Sequence, residues 1–290
     1  INLLIAAASF VPLLFAVTAA GLVVSLVFRR WMLATASAVL VAIVAAVVGP
    51  LYVADGRAAD REVPDRQTLR IMQANLLFGQ ADPGTVVATV RDNDVDALTV
   101  QELTHPLAQA MNDLGLDDLL PYQYLVPDDA GGAGAGIYSR YPLAEMRELN
   151  GFGPTNLVAR VDFPTSFELV AVHPGPAYIT PPDVWTAELD TLRVALEDLA
   201  ATGSPVVVSG DFNTTYLHRQ FRDLLDAGYS DAADQLGTGI IPTYPTDKGF
   251  PAVIGIDHVL TRGAHAQSLQ RITVEGSDHH GLIVDVSFPS

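Results

Sequence analysis

The chain has no cysteine, which excludes disulfides and thiolate metal sites and leaves either redox compartment open. Positive charge is scarce as well. Only 16 Lys and Arg stand against 33 Asp and Glu, a formal net charge of −17. Such a surface repels polyanions, because nucleic-acid affinity comes largely from Lys and Arg on phosphates. Long nucleic acids are therefore disfavoured as partners, although a local basic groove is compatible with the composition. No internal repeat, long low-complexity block or basic run is present.

Charge of either sign is missing altogether from Ile1 to Phe28 and again from Trp31 to Ala54, with only Arg29 and Arg30 between them. Each run can cross a hydrocarbon core, which takes roughly 20 apolar residues. Both are too long for the apolar part of a cleavable signal peptide, about 7–15 residues. Two transmembrane helices are expected, 1–28 and 31–54, forming a hairpin. A buried helical hairpin of a soluble protein is the alternative. Positive residues in short loops stay cytoplasmic, which puts Arg29-Arg30 inside and everything after Ala54 outside. The first residue is Ile1 rather than Met, so further residues, and with them an earlier helix, are expected ahead of it. Every acidic residue follows Ala54. Residues 55–68, "DGRAADREVPDRQT", are polar and unpatterned and read as a linker off the membrane.

Beyond the linker, strand and helix patterns alternate. "LRIMQANLL", "VDALTVQEL", "NLVARVDF" and "SFELVAVHPG" read as strands. "PDVWTAELDTLRVALEDLAAT" places Trp185, Leu189, Leu192, Leu196 and Leu199 at helical spacing, and Gly203-Ser204-Pro205 ends it. The mixture predicts an α/β domain over 69–290: a two-sheet β-sandwich flanked by helices.

Polar residues recur where these apolar strands stop. In "VVVSGDFN", strand side chains alternate faces. A strand continuing to Asn213 would project Asp211 and Asn213 together and turn Phe212 back into protein. A carboxylate beside an amide suits a hard cation or a phosphate oxygen. Gly, Asp and Asn are also the usual turn residues, and this stretch alone leaves both readings open. Asn75, Glu102, His173, Asp257, Asp278 and His279 stand at comparable strand ends. Each alone reads as a solvated end or an Asx turn; their recurrence points to a site.

In order, "QANLL", "VQEL", "AGIYSRYPL", "VHP", "SGDFN", "IDHVL" and "GSDHHGL" resemble the endonuclease/exonuclease/phosphatase superfamily, the fold of deoxyribonuclease I and neutral sphingomyelinase. The resemblance runs from about Leu69 to Ser290. It looks like the bacterial branch that carries membrane helices ahead of the catalytic domain. The resemblance implies a four-layer sandwich and the following roles. Asn75 and Glu102 would hold a divalent cation, with Asp278 adding to the metal side. His173 would bond a phosphate oxygen. Asp211 would place or polarise the attacking water, and Asn213 would orient that water or the phosphate. Asp257 would orient His279, itself a general base or a phosphate ligand. Mg²⁺, with Mn²⁺ as a substitute, suits oxygen donors and keeps several waters. Zinc suits this set less, since it would need His173 and His279 as ligands. The expected function is a membrane-anchored, extracytoplasmic, metal-dependent phosphoesterase acting on a phosphate mono- or diester. The tether favours a phospholipid or lipid-linked headgroup. An extracellular nuclease and a catalytically silent membrane scaffold are the other readings, and no obligate protein partner is implied.

Overall fold

The apolar N-terminus does not form two long helices. A computed structural model, which describes residues 2–54, 67–130 and 132–289, divides the first run into α1 (Asn2–Ser9) and α2 (Val11–Val27). Pro12, in the first turn of α2, is the physical reason. Proline lacks an N–H and its ring clashes with the carbonyl four residues back, so the first helix cannot run through it. The second run, α3 (Trp31–Val48), continues through a 3₁₀ turn at Gly49–Tyr52. Trp31–Tyr52, with a mean hydropathy of 2.4, is the one helix among the described residues long and apolar enough to cross a membrane. The expected pair of spanning helices is thus corrected to one, with the 17-residue α2 packed beside it. Gly21 faces Ser37 where the two approach.

The remainder begins with β1 (Gln67–Asn75), α4 (Pro83–Asp92), β2 (Ala97–Gln101), α5 (His105–Asp113), α6 (Leu116–Leu119), β3 (Tyr122–Val126) and β4 (Ala135–Ser139). It continues with β5 (Leu143–Leu149), β6 (Asn156–Val161), β7 (Phe167–Val172), α7 (Pro182–Ala201), β8 (Val206–Asp211), α8 (Arg219–Asp226), β9 (Ser230–Asp231) and α9 (Ala232–Gln235). It closes with β10 (Asp257–Arg262), β11 (His265–Thr273) and β12 (His280–Phe288). Of the segment read as a linker, 55–66 lies outside the described residues. Gln67 and Thr68 already belong to β1, pairing with Phe288 and Ser287 of β12.

Two six-stranded mixed sheets result, in the orders β11-β12-β1-β2-β4-β3 and β5-β6-β7-β8-β10-β9. Their inner faces share one core that includes Ile71, Ile137, Leu169, Val207, Val259 and Val284. The outer face of the first sheet packs on α4, α5 and α6 through Val86, Val90, Leu107 and Met111. The outer face of the second packs on α7 and α8 through Trp185, Leu189, Leu192, Leu196 and Phe221. The predicted α/β sandwich of two sheets flanked by helices is therefore what the chain forms.

The topology also places the site. Each sheet has one central parallel pair, β1 with β2 and β7 with β8. The C-terminal ends of all four strands lie at one end of the sandwich. The antiparallel neighbours β10 and β12 begin there, with Asp257 directly opposite Asp211. Gly210 is needed at this point because a Cβ on it would come within 2.1 Å of the Val172 carbonyl oxygen.

Candidate active site

Eight side chains singled out by the sequence converge on this end of the sandwich. Glu102, His173, Asp211, Asn213, Asp278 and His279 line a cavity of about 570 Å³. Asn75 and Asp257 sit buried beneath it. The strand carrying "VVVSGD" ends at Asp211. Asn213 then adopts a left-handed backbone, φ 48°, and its N–H donates to Asp211 Oδ1 at 2.8 Å. The stretch is both a turn and part of the cleft, with Phe212 buried as alternation requires. Asn213 Nδ2 donates to the Pro174 carbonyl, tying this turn to the loop after His173.

Leu77, Phe78 and Glu102 also hold positive φ, at 45°, 50° and 59°. Non-glycine residues avoid that region unless the surroundings impose it, and such strain gathers at functional sites. Here it aims Glu102 into the cleft, where its Oε2 accepts from the Phe78 N–H at 2.8 Å and its Oε1 from Asn75 Nδ2 at 3.1 Å. Asn75 Nδ2 also donates to Asp211 Oδ2 at 3.1 Å, while its oxygen accepts from the Leu77 N–H. Asn75 therefore presents donors, not its ligating oxygen, to the two carboxylates.

On the far wall, Asp257 Oδ2 lies 2.9 Å from Nδ1 of His279. The other ring nitrogen, Nε2, lies 3.7 Å from Asp211 Oδ2 and 3.9 Å from Asp278 Oδ1. Burial alone would push the imidazole down, but Asp257 and Asp211 outweigh it and hold His279 up at about 10. Burial would likewise raise Asp257, yet His279, Thr243 and Gln73 bring it below the usual carboxylate range. His173, 3.8 Å from both Glu102 and Asp211, has no such close partner. Burial, helped by the charge on His279, pushes it down to about 4, so it is neutral. Burial raises Asp211 to about 7 and also raises Glu102 and Asp278.

Three carboxylates held above their ordinary values in one cleft are short of positive charge, and oxygen donors of this kind fit a hard divalent cation. Asp211, Asp257 and His279 also bring potential ligand atoms within 4.8 Å of one another and could hold a metal ion. Both Asp257 oxygens, however, are already engaged by His279 and Gln73. The carboxylates that line the cavity are Glu102, Asp211 and Asp278.

Several supporting residues carried no motif. Gln73 donates to Asp257 Oδ1 at 2.7 Å and to Gln101 at 2.9 Å. Its position two residues before Asn75 on β1 is the signal that was available, since both face the same way. Ser277 accepts from the His279 N–H and donates to the Asn75 carbonyl. The Tyr244 ring lies 4.8 Å from the His279 ring. Glu188 of α7 accepts from the N–H groups of Gly153 and Gly175, pinning the two loops beside His173, and nothing in its local sequence marks it.

Two mixed sheets with helices outside and an acidic, imidazole-bearing cleft at one end define the fold class of the deoxyribonuclease-I-like enzymes. The chain belongs to the Endonuclease/Exonuclease/phosphatase family, whose model matches residues 72–279. Members of the family are hydrolases of phosphate esters and are generally dependent on a divalent metal. No curated protein sequence matches the chain. Among solved structures, that of D. rerio TDP2 with a single-strand DNA product is similar at TM-score 0.64 and 19% identity, covering 76% of this chain and 99% of that one. Sphingomyelinase C from Streptomyces griseocarneus is similar at TM-score 0.58 and 14% identity, over 76% and 99%. A mannosyl-6-phosphatase from Bacteroides thetaiotaomicron gives TM-score 0.58 and 16% identity, over 76% and 100%. At these identities the likeness is one of fold.

Proposed function

We propose that the protein is a membrane-anchored phosphoesterase of the family's membrane-helix-bearing bacterial branch. Its catalytic domain lies outside the cytoplasm and hydrolyses a phosphate mono- or diester with the help of Mg²⁺ or Mn²⁺. The Asp257–His279 pair facing Asp211 across the cleft carries this reading. Asp211, lifted toward neutrality, positions a water and takes its proton as that water attacks phosphorus. His279, cationic through Asp257, donates from Nε2 to a phosphoryl oxygen and offsets the charge developing there. Neutral His173 donates to a second phosphoryl oxygen, and Asn213 orients the water or the phosphate. Glu102 and Asp278 would hold the cation, with Asn75 joining them once its carboxamide turns its oxygen inward. The cation would neutralise phosphoryl charge and assist the leaving oxygen.

Anchoring rests on α3 and its apolar partner α2. Met32 is 89% exposed and Val27 70%, and so extended an apolar surface calls for a non-aqueous setting. Arg29-Arg30 between the helices favours a cytoplasmic turn and an outside catalytic domain. Phospholipid and lipid-linked headgroups are the substrates such a tether favours. The test is a screen of the purified protein with Mg²⁺ or Mn²⁺ against phospholipids, sugar phosphates, nucleotides and DNA. Release of phosphate or of a phosphoalcohol is expected; no turnover of any ester, or turnover indifferent to chelator, would sink the proposal.

A further inference from the structure

The cavity is far larger than a phosphoryl group needs, and its rim is apolar. Phe78 (52% exposed), Tyr178 (62%) and Ile179 (68%) stand around the mouth with Ala177. Tyr178 and Ile179 are not on a loose loop. "HPGPAYITPP" carries four prolines of fixed φ, its Pro174 carbonyl is held by Asn213, and its Gly175 N–H is held by Glu188. The loop therefore projects two large apolar side chains next to an acidic floor. The phenol of Tyr178, raised by burial and then by Asp278, Glu102 and Asp211, marks the border between the two.

The remaining wall comes from the N-terminus. Ala6 and Phe10 line the same cavity, and Phe10 immediately precedes α2. The Ile5 carbonyl lies 2.9 Å from His218 Nε2, which fastens α1 to the domain beside the site. The end of α3 is fastened too. Gly239 donates its N–H to the Leu51 carbonyl, and a Cβ on Gly239 would meet the Tyr52 ring at 2.1 Å. Both apolar helices thus end against the domain, and one of those ends is a wall of the cleft. Among the described residues no Lys or Arg lines it, so successive phosphates of a nucleic acid would find no counter-charge.

We propose that this rim is a subsite for the hydrocarbon chain of a membrane-resident phosphate ester, with Phe10, Phe78, Tyr178 and Ile179 as its specificity-determining residues. The proposal rests on the phosphoesterase reading and adds the chemical class of the substrate: a single phosphate on an apolar chain. The phosphate meets the carboxylates and imidazoles, while the chain runs between α1 and the Tyr178–Ile179 tip toward the bilayer.

The test is calorimetric binding of propyl- to hexylphosphonate to the full chain in nanodiscs with Mg²⁺, empty nanodiscs subtracted, with hydrolysis of the matching alkyl phosphates and alkyl phosphocholines measured in parallel. Affinity should rise about fourfold per methylene, as full burial of each methylene implies. Ile179→Asp and Phe10→Ser should cut the hexyl-to-propyl affinity ratio at least tenfold. Ile179 is so exposed that its replacement leaves folding alone. Affinity independent of chain length, an unchanged ratio in both variants, or tighter binding of an oligonucleotide than of hexylphosphonate overturns the subsite. A steep slope without turnover of any ester overturns the phosphoesterase reading instead and leaves an amphiphile-binding cleft.

Discussion

Replacing Asp257 by Asn separates the charge of the buried pair from its shape. The side-chain volume is kept, and the new oxygen can still accept from His279 Nδ1–H. Its NH₂ group must then face Gln73, whose amide currently donates in that direction. Gln73 Oε1 and Gln101 Nε2 are both buried without hydrogen-bond partners. The two glutamine amides can therefore turn together and restore the whole chain of bonds. What remains lost is one negative charge in hydrogen-bond contact with the imidazolium; two delocalised unit charges centred about 4 Å apart interact by about 4 kcal/mol at an effective dielectric of about 20. At 1.36 kcal/mol per pH unit this is about three units. His279, held at about 10 in the parent, should then titrate at about 7.

The sign of the stability effect follows. A raised histidine pKa stabilises the fold fully below the unfolded value of about 6.5 and ceases to do so as pH rises through the folded value. The variant's deficit in Tm should thus be largest near pH 6 and close as pH approaches 10. Turnover that uses His279 as a cation should then fall as pH rises, about twofold at pH 7 and about tenfold at pH 8. Histidine NMR titration of the chelator-treated full chain reads the first quantity, with His279→Gln assigning the resonance among the 7 histidines. A His279 resonance still titrating above pH 9 in the variant, or turnover at pH 8 within threefold of the parent, would refute the reasoning.

The other expectations are shorter. Asp211→Asn should lower kcat by at least about 10²-fold. Because burial raises Asp211, its charge costs stability above its folded pKa and not below the ordinary carboxylate value, so the variant's Tm without metal should rise at pH 8; an unchanged kcat would return "GDFN" to a mere turn. Chelator should abolish activity and Mg²⁺ or Mn²⁺ restore it, and the rise in Tm on adding Mg²⁺ should disappear in Glu102→Gln; a metal-induced rise of equal size in that variant would remove Glu102 from the cation. Gly210→Ala, forced against the Val172 carbonyl, should push β7 and β8 apart and lower Tm by roughly 5 °C or more, and an unaltered melting curve would contradict the packing. A reporter fused after Ser290 should be active only outside the cytoplasm; cytoplasmic activity would reverse the orientation.

The sequence by itself determined what local periodicity and local chemistry can specify. Short apolar runs such as "RIMQAN" and "ELVAV" made strands, the spacing of Trp185 to Leu199 made α7, and polar residues at the ends of apolar strands made a site worth suspecting. It also contained the break in the first apolar run, since Pro12 is plain to read, but the run's uniform apolarity hid it. The tertiary structure decided which strand ends meet. Asn75, Glu102, Asp211 and His279 are far apart along the chain, and only the two parallel pairs, packed face to face, bring them to one end. It also decided the backbone of Glu102, whose positive φ no local propensity favours, and the buried amides of Gln73 and Gln101, which acquire a role only once Asp257 lies beside them. The docking of α1 through Ile5 on His218 joins residues 213 positions apart in sequence. Contacts of that range are set by how completed layers pack, and no short stretch of residues encodes them.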